Sequence, residues 1–203
     1  MNPIRLQPGD ALIVVDMQND FVDGSLAVPG GAAIVPVLNR YVAVFRGRSL
    51  PVVATRDWHP PDHCSFRDRG GPWPSHCVGG TEGAQFVPGL ALPPDAIVVS
   101  KATQADGEAY SGFAGTDLDS QLRARGIRRL FVGGLATDYC VLNTVRDARR
   151  LGYAVCVLGD AIRAVDVNPG DGATASREMR SAGAIEIAFD ALAESLAAAA
   201  ERT

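Results

Sequence analysis

Three residues of types that can act together in covalent catalysis follow three short apolar runs of the chain: Asp16, Lys101 and Cys140. A cysteine thiol becomes a nucleophile when a base takes its proton, and no histidine lies near Cys140 in the sequence to serve as that base. Asp16 is therefore the candidate base, provided that its carboxylate is partly desolvated. Lys101 would then hold the carboxylate oriented and charged.

Cys140 differs from the other cysteines because it stands in the first turn of a predicted helix. The free N–H groups and the dipole of a helix start favour a thiolate. The remaining cysteines lack such a position and are interpreted as small buried residues: Cys64, Cys77 and Cys156. Each reactive residue taken singly also has an ordinary structural explanation, such as a turn cap or a solvated lysine. Their coincidence after successive predicted strands is what indicates a site.

A second set of residues has the chemistry of metal ligands. It combines a carboxylate with all three histidines of the chain: Asp57, His59, His63 and His76. Carboxylate and imidazole together match the ligand shells of zinc, iron or manganese, so we predict one divalent metal ion. The alternative is a chance group of surface histidines. Because Cys64 and Cys77 lie close to this set in the sequence, a structural zinc site also stays open.

Alternating strands and helices are predicted to position these residues. Short β-branched runs predict strands at 11–15, 52–54, 97–99, 130–132, 154–158 and 184–187. Apolar residues at helical spacing predict helices at 34–45, 117–125, 139–151, 173–182 and 192–201. This alternation is typical of parallel βαβ units with right-handed crossovers. The sequence therefore predicts a doubly wound, three-layer α/β sandwich with a mainly parallel central sheet, as a single domain over 1–203.

The stretch from Thr55 to Ile97 breaks the alternation. Its roughly forty residues contain both tryptophans and all three histidines and have no clear periodicity. Loops longer than ~12–15 residues are uncommon unless they are functional or disordered, and the aromatic content argues against disorder. Ligands bind at the carboxyl ends of parallel strands, where this loop would begin. We therefore expect a functional site there.

Composition excludes several other classes of function. The 203 residues are 47% hydrophobic and 21% charged, as in a globular domain. A formal net charge of -4 provides no basic field for nucleic acid or an anionic membrane. The apolar runs are far shorter than the ~20 residues that span a bilayer, and no glycine-rich phosphate loop is present. Without a signal-peptide pattern or a CxxC pair, we expect a cytoplasmic protein with reduced thiols.

The motifs together resemble those of the nicotinamidase and pyrazinamidase branch of the isochorismatase-like cysteine hydrolases. The matching stretches are spread over most of the chain: 15–21, 24–28, 56–60, 73–77, 110–113 and 134–140, with His63 and Lys101 between them. The fold that this resemblance implies is the isochorismatase-like α/β hydrolase fold.

The resemblance also implies a role for each matched residue. The implied catalytic triad is Asp16, Lys101 and Cys140, and the implied metal ligands are Asp57, His59 and His76, with His63 an additional ligand in some members. A cis peptide is implied at Leu135–Ala136, so that the N–H groups of Ala136 and Cys140 form an oxyanion hole. The side chains implied to flank a flat pyridine ring are Phe21, Trp73 and Tyr110.

The implied activity is hydrolysis of nicotinamide to nicotinic acid and ammonia through a cysteine thioester. Other branches of the superfamily, which act on isochorismate, carbamoyl amides or ureidoacrylate, share the triad but generally lack this metal set. The metal set therefore favours a nicotinamide-like small aromatic amide. On the residues alone, two alternatives stay open: a hydrolase whose metal-bound water attacks the substrate, and a metal-binding module without activity that docks a protein partner. A homo-oligomer is also compatible with the sequence.

Overall fold

The computed structural model describes residues 4–192, whose strands form one sheet of six parallel strands. The strands are β1 (Asp10–Val15), β2 (Val52–Asp57), β3 (Ile97–Lys101), β4 (Arg129–Leu135), β5 (Ala154–Arg163) and β6 (Ile185–Ile187). They lie in the order β3-β2-β1-β4-β5-β6, and every neighbouring pair is parallel. This is a doubly wound order, so the predicted fold class is confirmed.

Helices connect these strands largely where the sequence predicts them. They are α1 (Asn19–Val22), α2 (Val35–Arg46), α3 (Leu118–Ala124), α4 (Leu142–Arg150) and α5 (Asp171–Ser181). Two 3₁₀ segments occur at Gly31–Ile34 and Arg67–Arg69. The predicted helix at 139–151 is divided, because a π-helix at Thr137–Val141 precedes α4. Apart from its first residue, the helix predicted at 192–201 lies outside the described residues.

Strand β1 is buried along its whole length and separates two apolar layers. Leu12 and Val14 pack with α2 in one core cluster. Ala11, Ile13 and Val15 pack with α3, α4 and α5 in the other. Burial on both faces explains why this strand is a continuous apolar run rather than an alternating one. The result is the predicted three-layer arrangement.

The direction in which successive strands are added to the sheet reverses at β1, because β2 lies on one side of it and β4 on the other. Such a reversal leaves a crevice at the carboxyl edge of the sheet. Val15 pairs with Gly134 at this edge, where Gly134 has a φ of +124° and an added Cβ would lie 2.1 Å from the Val15 carbonyl oxygen. Only glycine permits such a close approach. No helix in the described part of the chain is long and apolar enough to cross a membrane.

Candidate active site

The Lys101 side chain connects the reactive residues at the carboxyl edge of the sheet. Its Nζ lies 3.0 Å from Asp16 Oδ2 and 3.5 Å from Cys140 Sγ, and it also donates hydrogen bonds to Asp57 Oδ1 and to the Ala109 carbonyl. The register of β2 and β3 pairs Lys101 with Asp57 and so fixes this position. The three residues predicted for covalent catalysis are thus brought together, and all three are buried.

The two carboxylate oxygens of Asp16 have different partners. Its φ of +48° places it in the left-handed region immediately after β1. The Thr55 hydroxyl donates to Oδ1 at 2.7 Å. Apart from the ion pair with Lys101, Oδ2 has no hydrogen-bond partner among residues 4–192. One carboxylate oxygen of Asp16 lies within 4.8 Å of the Cys140 sulfur, so the candidate base and the thiol are neighbours.

Burial dominates the protonation states of this cluster. It raises the pKa of Asp16, although Lys101 opposes the shift, and it raises the pKa of the Cys140 thiol well above its usual range. Burial also disfavours the charged form of Lys101, but the Asp16 and Asp57 carboxylates outweigh it and raise the Lys101 pKa. The lysine is therefore an ammonium and the resting thiol keeps its proton. The helix-start position of Cys140 does not by itself produce a thiolate, because the thiol is enclosed; a base must take the proton.

Three of the predicted metal ligands converge beside the triad. Ligand atoms of Asp57, His59 and His76 all lie within 4.8 Å of one another. The Nδ1 atoms of His59 and His76 lie 3.2 and 2.8 Å from the carbonyl oxygens of Ala102 and Pro74. These contacts place the proton on Nδ1 and leave each Nε2 lone pair free, as is usual for metal-bound histidine.

The protonation of these groups fits a metal ion. His59 Nε2 is buried without a hydrogen-bond partner in the described part of the chain and lies 3.5 Å from Asp57 Oδ2. Burial lowers the pKa of His76, which favours its neutral form. Burial disfavours the Asp57 carboxylate, but the Lys101 ammonium opposes this effect and the Asp57 pKa is lowered. An ionised carboxylate and neutral imidazoles are the ligands that a divalent cation takes.

His63 is placed differently from the other histidines. Its Nδ1 lies 2.7 Å from Ser65 Oγ and its Nε2 lies 3.2 Å from the Gly107 carbonyl oxygen. Its ring packs on that of His59, with centroids 4.1 Å apart. Because both ring nitrogens already have partners, His63 lies outside the group formed by Asp57, His59 and His76. Its contribution is the packing of its ring against the His59 ring.

The cysteine alternative is not supported by the geometry. Of the residues that the structure describes, neither Cys64 nor Cys77 belongs to a group that could hold a metal ion. Cys140 does lie near Asp16 and Asp57 in such a group, but the Lys101 ammonium contacts all three. A second cation there would be repelled.

A small cavity, here called the inner pocket, opens beside Cys140. The predicted ring-flanking residues Phe21, Trp73 and Tyr110 all line it, as does Ala136. The Leu135–Ala136 peptide is cis, as the resemblance implies. Sequence reasoning missed three further lining residues: Leu26, Tyr139 and Val165. Tyr139 could have been found, since it directly precedes the candidate nucleophile. Val165 follows β5, which extends beyond its predicted end.

Sequence reasoning also missed Gln18, which positions Asp57. The fully buried Gln18 amide donates to the Asp57 carbonyl at 2.7 Å and accepts from the Asp57 N–H at 2.8 Å. Its Nε2 also donates to the Ala84 carbonyl, so the amide ties β2 to the long loop. A polar residue two positions after Asp16 was the available signal.

Comparisons with known proteins show the family to which the chain belongs. The chain matches the isochorismatase domain over residues 10–189 and belongs to the isochorismatase family. It is 42% identical over 199 residues to the nicotinamidase of Escherichia coli, covering 87% of this chain and 93% of that protein. It is 44% identical over 181 residues to the nicotinamidase/pyrazinamidase of Mycobacterium tuberculosis, covering 85% and 95%. The structure of the Pyrococcus horikoshii pyrazinamidase in complex with zinc superimposes with a TM-score of 0.86 at 50% identity, over 90% of this chain and 100% of that one.

Proposed function

We propose that this protein hydrolyses nicotinamide to nicotinic acid and ammonia. Support comes from the nicotinamidases to which the chain is 42% and 44% identical. The single observation that carries the mechanism is the position of Lys101 Nζ, 3.0 Å from Asp16 Oδ2 and 3.5 Å from Cys140 Sγ. A buried acid, a buried thiol and a cation that contacts both supply a base, a nucleophile and a fixed positive charge without a histidine.

Acylation begins when Asp16 takes the Cys140 proton. The sulfur attacks the carboxamide carbon, a C–S bond forms, and the carbonyl electron pair moves to oxygen. The Ala136 and Cys140 N–H groups are the proposed donors to this oxyanion, and such donors contribute roughly 10²–10³ in rate each. The C–N bond then breaks as Asp16 gives its proton to the leaving nitrogen, so ammonia departs and a thioester remains on Cys140.

Hydrolysis of the thioester uses the same carboxylate. Asp16 takes a proton from water while the water oxygen attacks the thioester carbon. The C–S bond breaks, and the Cys140 sulfur recovers the proton from Asp16 as nicotinic acid forms. One water is consumed and no cofactor is oxidised or reduced. Lys101 stays charged throughout and stabilises the carboxylate and the transient thiolate.

Phe21, Trp73 and Tyr110 are the proposed side chains that hold the pyridine ring. Asp57, His59 and His76 are the residues that would bind a divalent ion, and such an ion would supply a Lewis-acidic contact for the ring nitrogen. We do not assign His63 as a ligand, because both of its nitrogens are engaged. A cytoplasmic location stays a prediction of the sequence.

The deciding experiment measures ammonia release from nicotinamide, pyrazinamide, benzamide and a carbamoyl amide, without NAD, ATP or flavin. We expect turnover of the two heteroaromatic amides. Efficient turnover of the carbamoyl amide without turnover of nicotinamide would overturn the substrate assignment.

Rapid quenching with mass spectrometry should then find the nicotinoyl thioester on the Cys140 peptide. A Cys64→Ser variant, altered at a half-buried thiol outside the inner pocket, is the matched control and should form the same thioester. Activity that survives Cys140→Ala and disappears only on chelation would instead support attack by metal-bound water.

A further inference from the structure

A second concave region, here called the outer groove, adjoins the inner pocket. It is lined by Ser25, Arg67, Pro72, Pro74 and Val167, together with four residues that also line the inner pocket. These shared residues are Leu26, Trp73, Tyr110 and Tyr139. We call these four residues the shared wall, because they line both cavities, whereas Cys140 lines only the inner pocket. The proposed reaction uses the inner pocket only.

The aromatic members of this wall are not held equally. Trp73 Nε1 donates to the Tyr110 hydroxyl at 3.1 Å, which fixes these two side chains to each other. The Tyr139 ring packs edge-on against Trp73, with centroids 5.0 Å apart, and tilted against Tyr110 at 5.5 Å. The Tyr139 hydroxyl makes no hydrogen bond among residues 4–192. Its ring can therefore move without the loss of a hydrogen bond, whereas movement of the other two breaks one.

We propose that Tyr139 is the specificity-determining residue that limits the size of the substrate ring. With its ring in place, the inner pocket admits a flat, unsubstituted heteroaromatic amide. With the ring displaced or removed, the pocket joins the outer groove and accepts pyridine carboxamides that carry a bulky, uncharged ring substituent. The proposal rests on the proposed function, because it concerns the same substrate site.

The lining of the outer groove suits such a substituent. Pro72, Pro74 and Val167 give it an apolar surface, and Val167 is 56% exposed. A substituent that reaches this surface would cover apolar side chains that are otherwise in water. The amide end of the substrate would stay at Cys140, since Cys140 and Ala136 line the inner pocket and not the outer groove.

The test compares nicotinamide with nicotinamides that carry a methyl or a phenyl group on ring carbon 5 or 6. Steric fit in an apolar pocket changes kcat/KM by roughly 10–200-fold per group. We expect Tyr139→Ala to raise the ratio of kcat/KM for a phenyl-substituted amide to that for nicotinamide by about tenfold or more. Tyr139→Phe retains the ring and should retain the wild-type ratio. Arg150→Gln, altered at an exposed side chain that lines neither cavity, is the control and should also retain it. A ratio in Tyr139→Ala within about twofold of the wild type for every substituted amide would overturn the proposal.

A second measurement does not depend on turnover. Alkylation of Cys140 by iodoacetamide and by a bulky aryl maleimide is followed peptide by peptide, with half-buried Cys64 as the internal reference. Tyr139→Ala should raise the rate with the maleimide relative to iodoacetamide at Cys140 and leave that ratio unchanged at Cys64. An unchanged ratio at Cys140 contradicts the proposal. If the wild type released no ammonia from nicotinamide, the proposed function would fail while labelling still decided the role of Tyr139. Tyr139→Leu serves in both measurements if the alanine variant does not fold.

Discussion

Asp10 and Asp16 lie at opposite ends of β1, and both are fully buried, yet their surroundings differ in kind. Asp10 receives two hydrogen bonds from Arg129, at 2.8 and 2.6 Å, and one from the Gln7 N–H at 2.8 Å. Its two oxygens are therefore both satisfied. Asp16 has a partner for Oδ1 in Thr55, whereas Oδ2 has only the ion pair with Lys101.

The two ends show that burial alone does not distinguish a structural carboxylate from a reactive one. Arg129 and Asp10 form a two-bond ion pair in which each charge offsets the cost of burying the other. The hydrogen bonds to Asp10 raise the Arg129 pKa. At the other end, burial raises the pKa of Asp16, whose Oδ2 has only the Lys101 ion pair and whose carboxylate lies near the Cys140 thiol. A carboxylate with a raised pKa beside a thiol is placed to exchange a proton with it, whereas both Asp10 oxygens are engaged in hydrogen bonds that hold the fold.

The strongest way to test this contrast is to remove the reactive groups. Cys140→Ala should lower kcat by more than about 10³-fold while metal and substrate still bind, because the thiol forms a bond only during reaction. Asp16→Asn should be nearly as damaging, and the double variant little worse than either, because the two act as one unit. The free energy of unfolding of Asp16→Asn should not fall, because the neutral amide has no charge to desolvate and Lys101 keeps its ion pair with Asp57. Steady-state kinetics and urea denaturation measure both effects; an additive loss in the double variant would contradict a shared mechanism.

The same substitution at the other end of β1 should have the opposite result. Asp10→Asn leaves Arg129 partly buried with a neutral partner, which should lower the free energy of unfolding by about 2–4 kcal/mol. Its kcat for nicotinamide should stay close to that of the wild type. Urea denaturation and an ammonia assay on one preparation check both statements. Loss of activity in the folded variant would show that the two ends are coupled.

A histidine pair separates metal ligation from support of the metal site. His76→Ala should remove the bound divalent ion and raise KM for nicotinamide by about tenfold or more. His63→Ala should retain the ion, because its nitrogens bond to Ser65 and Gly107. Elemental analysis with substrate titration gives the answer, and loss of the ion in both variants would return His63 to the ligand set. His76→Ala with a wild-type KM would remove the orienting role of the ion.

The smallest effect is expected at an exposed ion pair. Arg150 lies 3.4 Å from Asp147, and its side chain is 78% exposed. Arg150→Gln should change the free energy of unfolding by less than about 0.5 kcal/mol, since solvent screens such pairs. A cost similar to that of Asp10→Asn would mean that burial is not what makes the Asp10 pair strong.

Particular elements show where sequence reasoning succeeded. The apolar run Ala11–Val15 predicted β1, because a strand buried on both faces needs apolar residues at every position. The helical spacing of apolar residues from Ile34 to Phe45 predicted α2, because one face of that helix is buried. The short helix α1 went unpredicted, since four residues are too few for a periodicity. The π-helix before α4 was also missed, because its apolar pattern is continuous with that of the helix it precedes.

By itself the sequence determined the strand and helix alternation, and with it the sheet edge at which Asp16, Asp57, Lys101 and Cys140 had to meet. Residue type and motif also determined the candidate chemistry. Only the tertiary structure decided which nitrogens and oxygens were left free: His59 Nε2 and Asp16 Oδ2 lack hydrogen-bond partners within the described chain, whereas His63 has used both ring nitrogens. It likewise placed Tyr139 where its side chain lines two cavities. The reason is physical. The pattern of apolar residues along the chain reflects which positions are buried, but hydrogen-bond partners are groups far apart in sequence that meet only after folding.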